Sequence, residues 1–286
     1  MQSLTYSTEQ LRSDFLQFTK KFVSSQDIDP IYPCLKELYR ELELPPEHSL
    51  WFSWLYVAYY DIASAFRAFH DHPLVDTRFT DEETHYPHQT ERRGLWGHFF
   101  VEHLESLHEQ RNGMLLSQFL DKSLTFEQLF AQIQTVKYNG RWAAFKLCDI
   151  LLNVHSYDIE FPGMELSSGT SSINKSLELL CPDMPKSSAE QYLKHLTGLR
   201  WDQLETCLCD FHALADGRYY IGHDIDKMQS SLYWPGLSSF DRSLMFKVRK
   251  KVLPNEYLGE LHNWYGVRTG RMRLYSKYRL LEDRDF

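Results

Sequence analysis

Several features are scarce in this chain, and each scarcity removes a class of protein. Cysteine is scarce and badly spaced for pairing. Cys34, Cys148, Cys181, Cys207 and Cys209 form no CxxC pair and no even-numbered framework, so small core residues in a reducing compartment are expected instead of a disulfide scaffold. Uninterrupted apolar runs are also lacking. The longest candidate, Trp51 to Phe69, is broken by Asp61 and Arg67, and Tyr56, Tyr59, Tyr60 and Ser64 need polar partners. Charges at that depth are costly in lipid, so the run reads as one buried helix with no membrane role. Inside it, Asp61 is expected in a structural salt bridge. No basic hydrophobic leader opens the sequence, where Ser7-Thr8-Glu9-Gln10 reads as a helix-capping pattern. The expected location is the cytoplasm. No strand-like alternation, repeat or low-complexity stretch stands out.

Positive charge is scarce too. The 286 residues carry 31 Lys and Arg against 39 Asp and Glu, a net of −8. That balance is unfavourable for a nucleic-acid protein until its distribution is considered. Residues 241–286 hold 11 Lys and Arg against 6 Asp and Glu, and contact affinity follows local charge. A basic segment on an acidic body can track a phosphate backbone, or it can be a solvated face.

Apolar material is plentiful, at 43% hydrophobic and 15% aromatic residues, enough for one large or two small cores. Its spacing is helical. Leu11, Phe15, Phe18 and Phe22 recur on one face, as do Leu35, Leu38, Tyr39 and Leu42. Further helices are expected from Leu95 to Gln110, after the Thr125-Phe126-Glu127-Gln128 cap, to about Val154, from Ser187 to near Gly198, from Trp201 to Asp216, and over 239–252 and 256–265. Between His70 and Gly94 the period fails and a long loop is expected. The block 217–226 ends in His223-Asp224-Ile225-Asp226. If it is extended, both carboxylates share one face and His223 takes the other.

The organising stretch is Val136-Lys137-Tyr138-Asn139-Gly140-Arg141-Trp142-Ala143-Ala144-Phe145-Lys146. A helical run ends at Val136, Asn139-Gly140 makes a tight turn, and a second helix starts at once with small residues on one face. Successive N–H groups in such a turn can converge on one anion, and the new helix adds its partial positive charge. A DNA phosphate fits there. Asp158 follows Gly140 by 18 residues and Glu160 by 20.

That hairpin resembles the helix-hairpin-helix DNA glycosylase superfamily, in which a catalytic Asp follows by roughly twenty residues, one helix plus a turn. It departs in two places: Tyr138 replaces the first hairpin glycine, and Trp142 stands where lyase-type members carry a Schiff-base Lys. With the Trp- and Tyr-rich helices upstream and the block 217–226 downstream, the chain is similar to a bacteriophage offshoot. This is the alpha-glutamyl/putrescinyl thymine pyrophosphorylase family, whose members act as amino acid:DNA transferases in thymine hypermodification. The resemblance implies a mainly α, glycosylase-like fold with extra N- and C-terminal helices. Residues 1–45 would form the N-terminal helices, 46–235 the core with its hairpin at 136–146, and 236–286 a basic extension.

It also implies a substrate, duplex DNA carrying phosphorylated 5-hydroxymethyluracil, with a free amino acid as co-substrate and the host cytoplasm as location for a phage enzyme. No cofactor, metal or membrane is expected. The base must leave the stack, the departing phosphate needs cations, and the nucleophile must lose a proton. Asp158, Asp224 and His223 are candidates for the proton, with Asp158 favoured by its interval from the hairpin. Asn139, Gly140, Arg141 and Trp142 would hold the DNA backbone, and Lys146, Lys175, Arg218, Arg268 and Arg271 would receive phosphate. Lys175 follows the serine- and glycine-rich segment 166–174, which reads equally as a phosphate loop or an ordinary turn. The reading requires the amides around Asn139 to face outward beside Asp158, where one nucleotide touches both.

Three alternatives stay open. A monofunctional glycosylase fits the absence of a lysine at Trp142. Glu105-Ser106-Leu107-His108 and Glu82-Glu83-Thr84-His85 both read Glu-x-x-His, the spacing of di-iron helix bundles. A non-catalytic DNA-binding protein would use the hairpin alone.

Overall fold

A computed structural model describes residues 7–92, 94–163, 171–216 and 218–258. Among them every regular element is helical: α1 (Thr8–Ser24), α2 (Ile31–Glu41), α3 (Pro46–Tyr59), α4 (Ile62–Asp71), α5 (His98–Arg111), α6 (Leu116–Phe119), α7 (Phe126–Gln134), α8 (Arg141–Asn153), α9 (Ser171–Leu180), α10 (Lys186–Thr197), α11 (Trp201–Ala215), α12 (His223–Ser231) and α13 (Ser239–Val252). The fold is mainly α. No described helix is long and apolar enough to cross a membrane.

Capping chemistry explains most boundaries. Ser7 accepts from the Gln10 N–H at the start of α1, and Thr125 and Gln128 make a reciprocal capping box at α7. Gly198 closes α10 in the left-handed region, with φ 67°. That helix begins at Lys186, with Pro185 in the capping position, slightly ahead of the expected serines.

The apolar run 51–69 is two helices, where one was expected. Tyr60 adopts a left-handed backbone (φ 51°), and Asp61 starts α4 by accepting from the Ser64 N–H at 3.0 Å, with Gln89 Nε2 at 3.1 Å on its other oxygen. The salt bridge expected of Asp61 is therefore replaced by a helix cap with no cation. Burial raises its carboxyl pKa, against hydrogen bonds from Ser64, Gln89 and Ser231 that lower it. The loop after α4 is tied down: Tyr59 Oη donates to Glu83 O at 2.8 Å and Ser64 Oγ to Pro87 O at 2.7 Å.

Contacts group the chain into two compact units, neither continuous in sequence. The first comprises residues 1–30, 161–227 and 253–286, the second 31–160 and 228–252. In the first, α1, α9, α10 and α11 enclose Phe15, Phe18, Phe22, Leu177, Leu208 and Phe211, and Phe15 meets Phe211 edge-on at 5.0 Å. Burying each such side chain contributes about 1.5–3 kcal/mol. In the second, α3 packs on α4, α6 and α8, α7 packs on α8, and α13 packs on α2.

The α13 packing decides the fate of the basic segment as far as it is described. Lys251 pairs with Glu37 at 2.5 Å and Lys247 with Glu41 at 2.6 Å. Arg242 donates to the carbonyls of Leu232, Trp234 and Leu237, and Arg249 is buried. These four cations serve the fold rather than an exposed phosphate track. Arg268 and Arg271 lie outside the described residues.

Candidate active site

In the second unit, α7, a turn over 135–140 and α8 form the expected helix-turn-helix. Val136 is buried, the Asn139 N–H donates to Val136 O at 3.1 Å, and Ala143 and Ala144 bury the small face of α8. Gly140 is the capping residue, exposed and without a side chain to cap α8. The first N–H groups of a helix have no partner within it, and an exposed glycine lets an external acceptor approach the backbone. Tyr138 occupies the left-handed region at φ 65°, the conformation a glycine would take without strain.

The turn is held from beneath by residues that helical spacing did not reveal. Lys137 N–H donates to Ser106 Oγ at 3.0 Å. His103 lies 2.8 Å from Lys137 O through Nδ1, while its Nε2 accepts from Trp54 Nε1 at 3.0 Å. An accepting Nε2 assigns the proton of a neutral ring to Nδ1. Burial, then the Arg92 charge, pushes the His103 pKa down to about 3, which keeps the ring neutral. Arg92 donates Nη1 to Tyr138 O at 2.8 Å, Nη2 to Asn139 Oδ1 at 3.5 Å and Nε to Ala58 O at 3.4 Å. Asn139 is itself buried, and its amide nitrogen reaches Ile133 O at 3.4 Å. Its side chain holds the turn's shape from inside and is not placed to make the outward contact expected of it. On the outside, Tyr138 Oη donates to Glu102 at 2.7 Å and the Tyr138 ring meets Phe99 edge-on at 5.4 Å. Arg141 is exposed at the mouth of the turn, and the half-buried Trp142 ring stands edge-on to Tyr60 at 4.7 Å.

Asp158 lies in an extended segment after α8, where Tyr157 and Ile159 are buried and Asp158 and Glu160 are exposed. Tyr157 N–H donates to Leu151 O at 3.0 Å, which seats this segment near the C-terminal end of α8. Arg141 and Leu151 are ten residues apart on that helix, about 15 Å at 1.5 Å per residue. The turn and Asp158 are both on the surface, at the two ends of one helix. That spacing does not meet the requirement that one nucleotide touch both, so this geometry does not carry a transferase reading.

Lys146 departs from its expected role. Its side chain is buried, with Nζ 2.8 Å from Tyr32 Oη and 3.4 Å from Asp149 Oδ2, so its charge is balanced internally instead of facing phosphate. The di-iron reading fails on orientation. Glu82, His85, Glu105 and His108 are all exposed, whereas such ligands must project inward. Among the described residues no group of three or more His, Cys, Asp or Glu stands together to hold a metal ion.

The remaining candidates belong to the first unit. Lys175 is exposed on α9, and Arg218 stands 3.3 Å from the Asp216 carboxylate. The block expected as extended after Tyr220 is the helix α12, because its N-terminus is capped by a residue from far upstream. Asp27 accepts from the N–H groups of Gly222 at 2.7 Å and Ile225 at 2.9 Å, and from Tyr219 Oη at 2.7 Å. Gly222 holds φ 99°, and a Cβ there would meet the Tyr257 ring at 3.0 Å. Burial, then the neighbouring Asp224 charge, raises the Asp27 pKa to about 7. His223 Nδ1 lies 3.1 Å from Asp224 Oδ1. Burial opposes the charged ring, but the Asp224 hydrogen bond and charge prevail and raise the His223 pKa. Against burial, the hydrogen bond and charge of His223 in turn hold the Asp224 carboxyl below its ordinary range.

No curated protein matches the chain. The family model described as amino acid:DNA transferase matches residues 77–220, half of the 286 residues. Arg92, the whole of α7, the turn and α8, and Asp158 all fall within that match, and the chain belongs to this family of enzymes, the amino acid:DNA transferases.

Proposed function

We propose that this transferase acts on duplex DNA carrying phosphorylated 5-hydroxymethyluracil in phage thymine hypermodification, placing a free amino acid on the exocyclic methylene and releasing phosphate. The observation that carries the reading, rather than the spacing of the turn and Asp158, is the family match across a helix start with glycine at its cap, beneath which lies a buried arginine with no carboxylate partner among the described residues. On this reading the unit α7–turn–α8 is a helix-hairpin-helix gripping one DNA phosphate through the N–H groups at Gly140, Arg141 and Trp142. Arg141 adds an exposed charge.

The reaction balances as a substitution at carbon. The amine lone pair forms the new C–N bond while the C–O bond breaks, its electron pair leaving with the phosphate. The surplus proton of the nitrogen passes to a base. Asp158 suits that role because it is exposed and makes no hydrogen bond among the described residues. The target base must be extruded to be reached.

The test is mass spectrometry of nucleosides after incubating phosphomethyluracil duplex DNA with the protein and single amino acids. The expected result is a base that carries the amino acid in place of the phosphate, heavier than hydroxymethyluracil by the amino-acid residue, with phosphate released in equal amount. Abasic sites would assign a glycosylase instead, and unchanged nucleosides with every amino acid would overturn the reading.

A further inference from the structure

An amino-acid transferase needs somewhere to hold its smaller substrate, and the second unit contains a cleft of about 450 Å³. Sites for small ligands commonly occupy roughly 300–1,000 Å³. Leu50 contributes to its apolar wall, and its polar lining includes Ser117, Asp121, Lys122, His155 and Tyr157. Two adjacent residues of opposite charge, Asp121 and Lys122, thus share one small opening.

Each has capacity left for a ligand. Lys122 Nζ donates to His155 O at 3.0 Å and lies 5.2 Å from the centre of the Tyr157 ring. An ammonium has three donors, so two remain. Asp121 Oδ1 accepts from the Ser123 N–H at 2.8 Å, and Ser123 holds the Asp121 carboxyl below its ordinary range. The group is ionised at neutral pH with lone pairs left to accept. His155, between them, is uncharged: burial, then the Lys122 charge, pushes its pKa down to about 4. Its Nε2 lies 2.8 Å from Ser53 Oγ, which lies 2.8 Å from Tyr39 Oη. A neutral ring repels neither end of a zwitterion. Tyr157 immediately precedes Asp158 in the chain, so the cleft adjoins the segment that bears the proposed base.

We propose that this cleft binds the free amino acid, with Lys122 holding its α-carboxylate and Asp121 its α-ammonium. The inference rests on the transferase reading and deepens it. Loss of the α-ammonium proton, on reaching Asp158, would produce the attacking amine.

The test uses the full chain and isothermal titration with glycine, serine, glutamate and lysine at millimolar concentration, each also as its methyl ester and its N-acetyl derivative. Wild type is expected to bind at least one free amino acid and to disfavour both blocked forms about tenfold or more, the scale of a lost charged hydrogen bond. Lys122→Gln should lose the preference for the free acid over the ester, and Asp121→Asn the preference over the N-acetyl form. Duplex DNA affinity should be unchanged in both. The proposal falls if no free amino acid binds wild type, or if Lys122→Gln keeps both its affinity and its acid-to-ester ratio. Should transfer proceed in Lys122→Gln with unchanged KM for the amino acid, the cleft assignment fails while the transferase reading survives. Should Lys122-dependent binding persist with no transfer to any phosphomethyluracil DNA, the reverse holds.

Discussion

Arg92 reaches the main-chain oxygen of Tyr138 at 2.8 Å, and that contact sets which way the turn faces. With the carbonyl of Tyr138 and the side chain of Asn139 drawn inward, the following amides lie at the start of α8, where glycine is the cap. Arg92 is buried, makes no ion pair among the described residues, and burial lowers its pKa to about 10. It remains charged at neutral pH. A buried charge without an opposite partner is costly, and an anion arriving at the outer side of the turn offsets part of that cost.

Replacing Arg92 by Met should therefore act on both stability and binding. Three carbonyl acceptors lose their donor, and a buried acceptor left unpaired costs about 1–3 kcal/mol. Urea unfolding should show a loss of about 2–3 kcal/mol, on the scale of a broken buried hydrogen-bond set. Fluorescence anisotropy on duplex DNA should show weaker binding at solution conditions where the variant is still folded. Unchanged DNA affinity in the folded variant would separate Arg92 from the grip.

Gly140→Ala isolates the grip from the fold. Its backbone, φ −69° and ψ −178°, suits alanine, and a Cβ there meets nothing within 4 Å. Stability should stay within about 0.5 kcal/mol of wild type. The added methyl stands where a phosphate must approach the backbone, so DNA affinity should fall about tenfold, a loss of about 1.4 kcal/mol. Equal affinity in an equally stable variant would show that DNA does not approach this turn.

The parts legible in the sequence were those written in local chemistry. Ser7, Thr125 and Asn139-Gly140 announce their caps and turn within a few residues, and the span 239–252 matches α13 in full. Long-range chemistry was not legible. Asp61 is a cap because Tyr60 turns left-handed, and Asp27 fixes the start of α12 from nearly two hundred residues away. Lys146 has the charge expected of a phosphate contact, but Tyr32 and Asp149 claim it inside the unit. Arg92 and His103 gave no signal at all, since one of two adjacent arginines inside an expected loop and a histidine on a helix face look like surface. Only their contacts with the carbonyls of Tyr138 and Lys137 identify them.

Asp27 predicts an inverted pH dependence. Burial and Asp224 raise its folded pKa from 3.8 to about 7, so the folded chain holds this proton more tightly than the unfolded one. Between those two values folding takes up a proton, and this site's contribution to stability falls as pH rises. Asp210 is shifted in the same direction, by burial and then by Asp224. Asp27→Asn, which cannot ionise and keeps an oxygen for only one of the Gly222 and Ile225 amides, should lessen the decline without abolishing it. Urea midpoints at about pH 5 and about pH 8 measure the slope, and an identical slope in wild type and variant would refute the assignment.

Asp158→Asn tests the chemistry with little disturbance elsewhere. The side chain is exposed and makes no hydrogen bond among the described residues, so folding stability should move by less than about 0.5 kcal/mol. Removing one negative charge near a DNA-binding surface should leave duplex affinity unchanged or slightly tighter. If this carboxylate takes the proton from the amine, single-turnover transfer should slow by roughly 10²–10⁴, the usual contribution of a positioned general base. The loss should shrink as pH rises and more of the free amine is already deprotonated in solution. A variant that transfers at the wild-type rate would move the proton acceptor elsewhere, to a residue such as the exposed Glu160 or His155 of the cleft, whose ring is neutral.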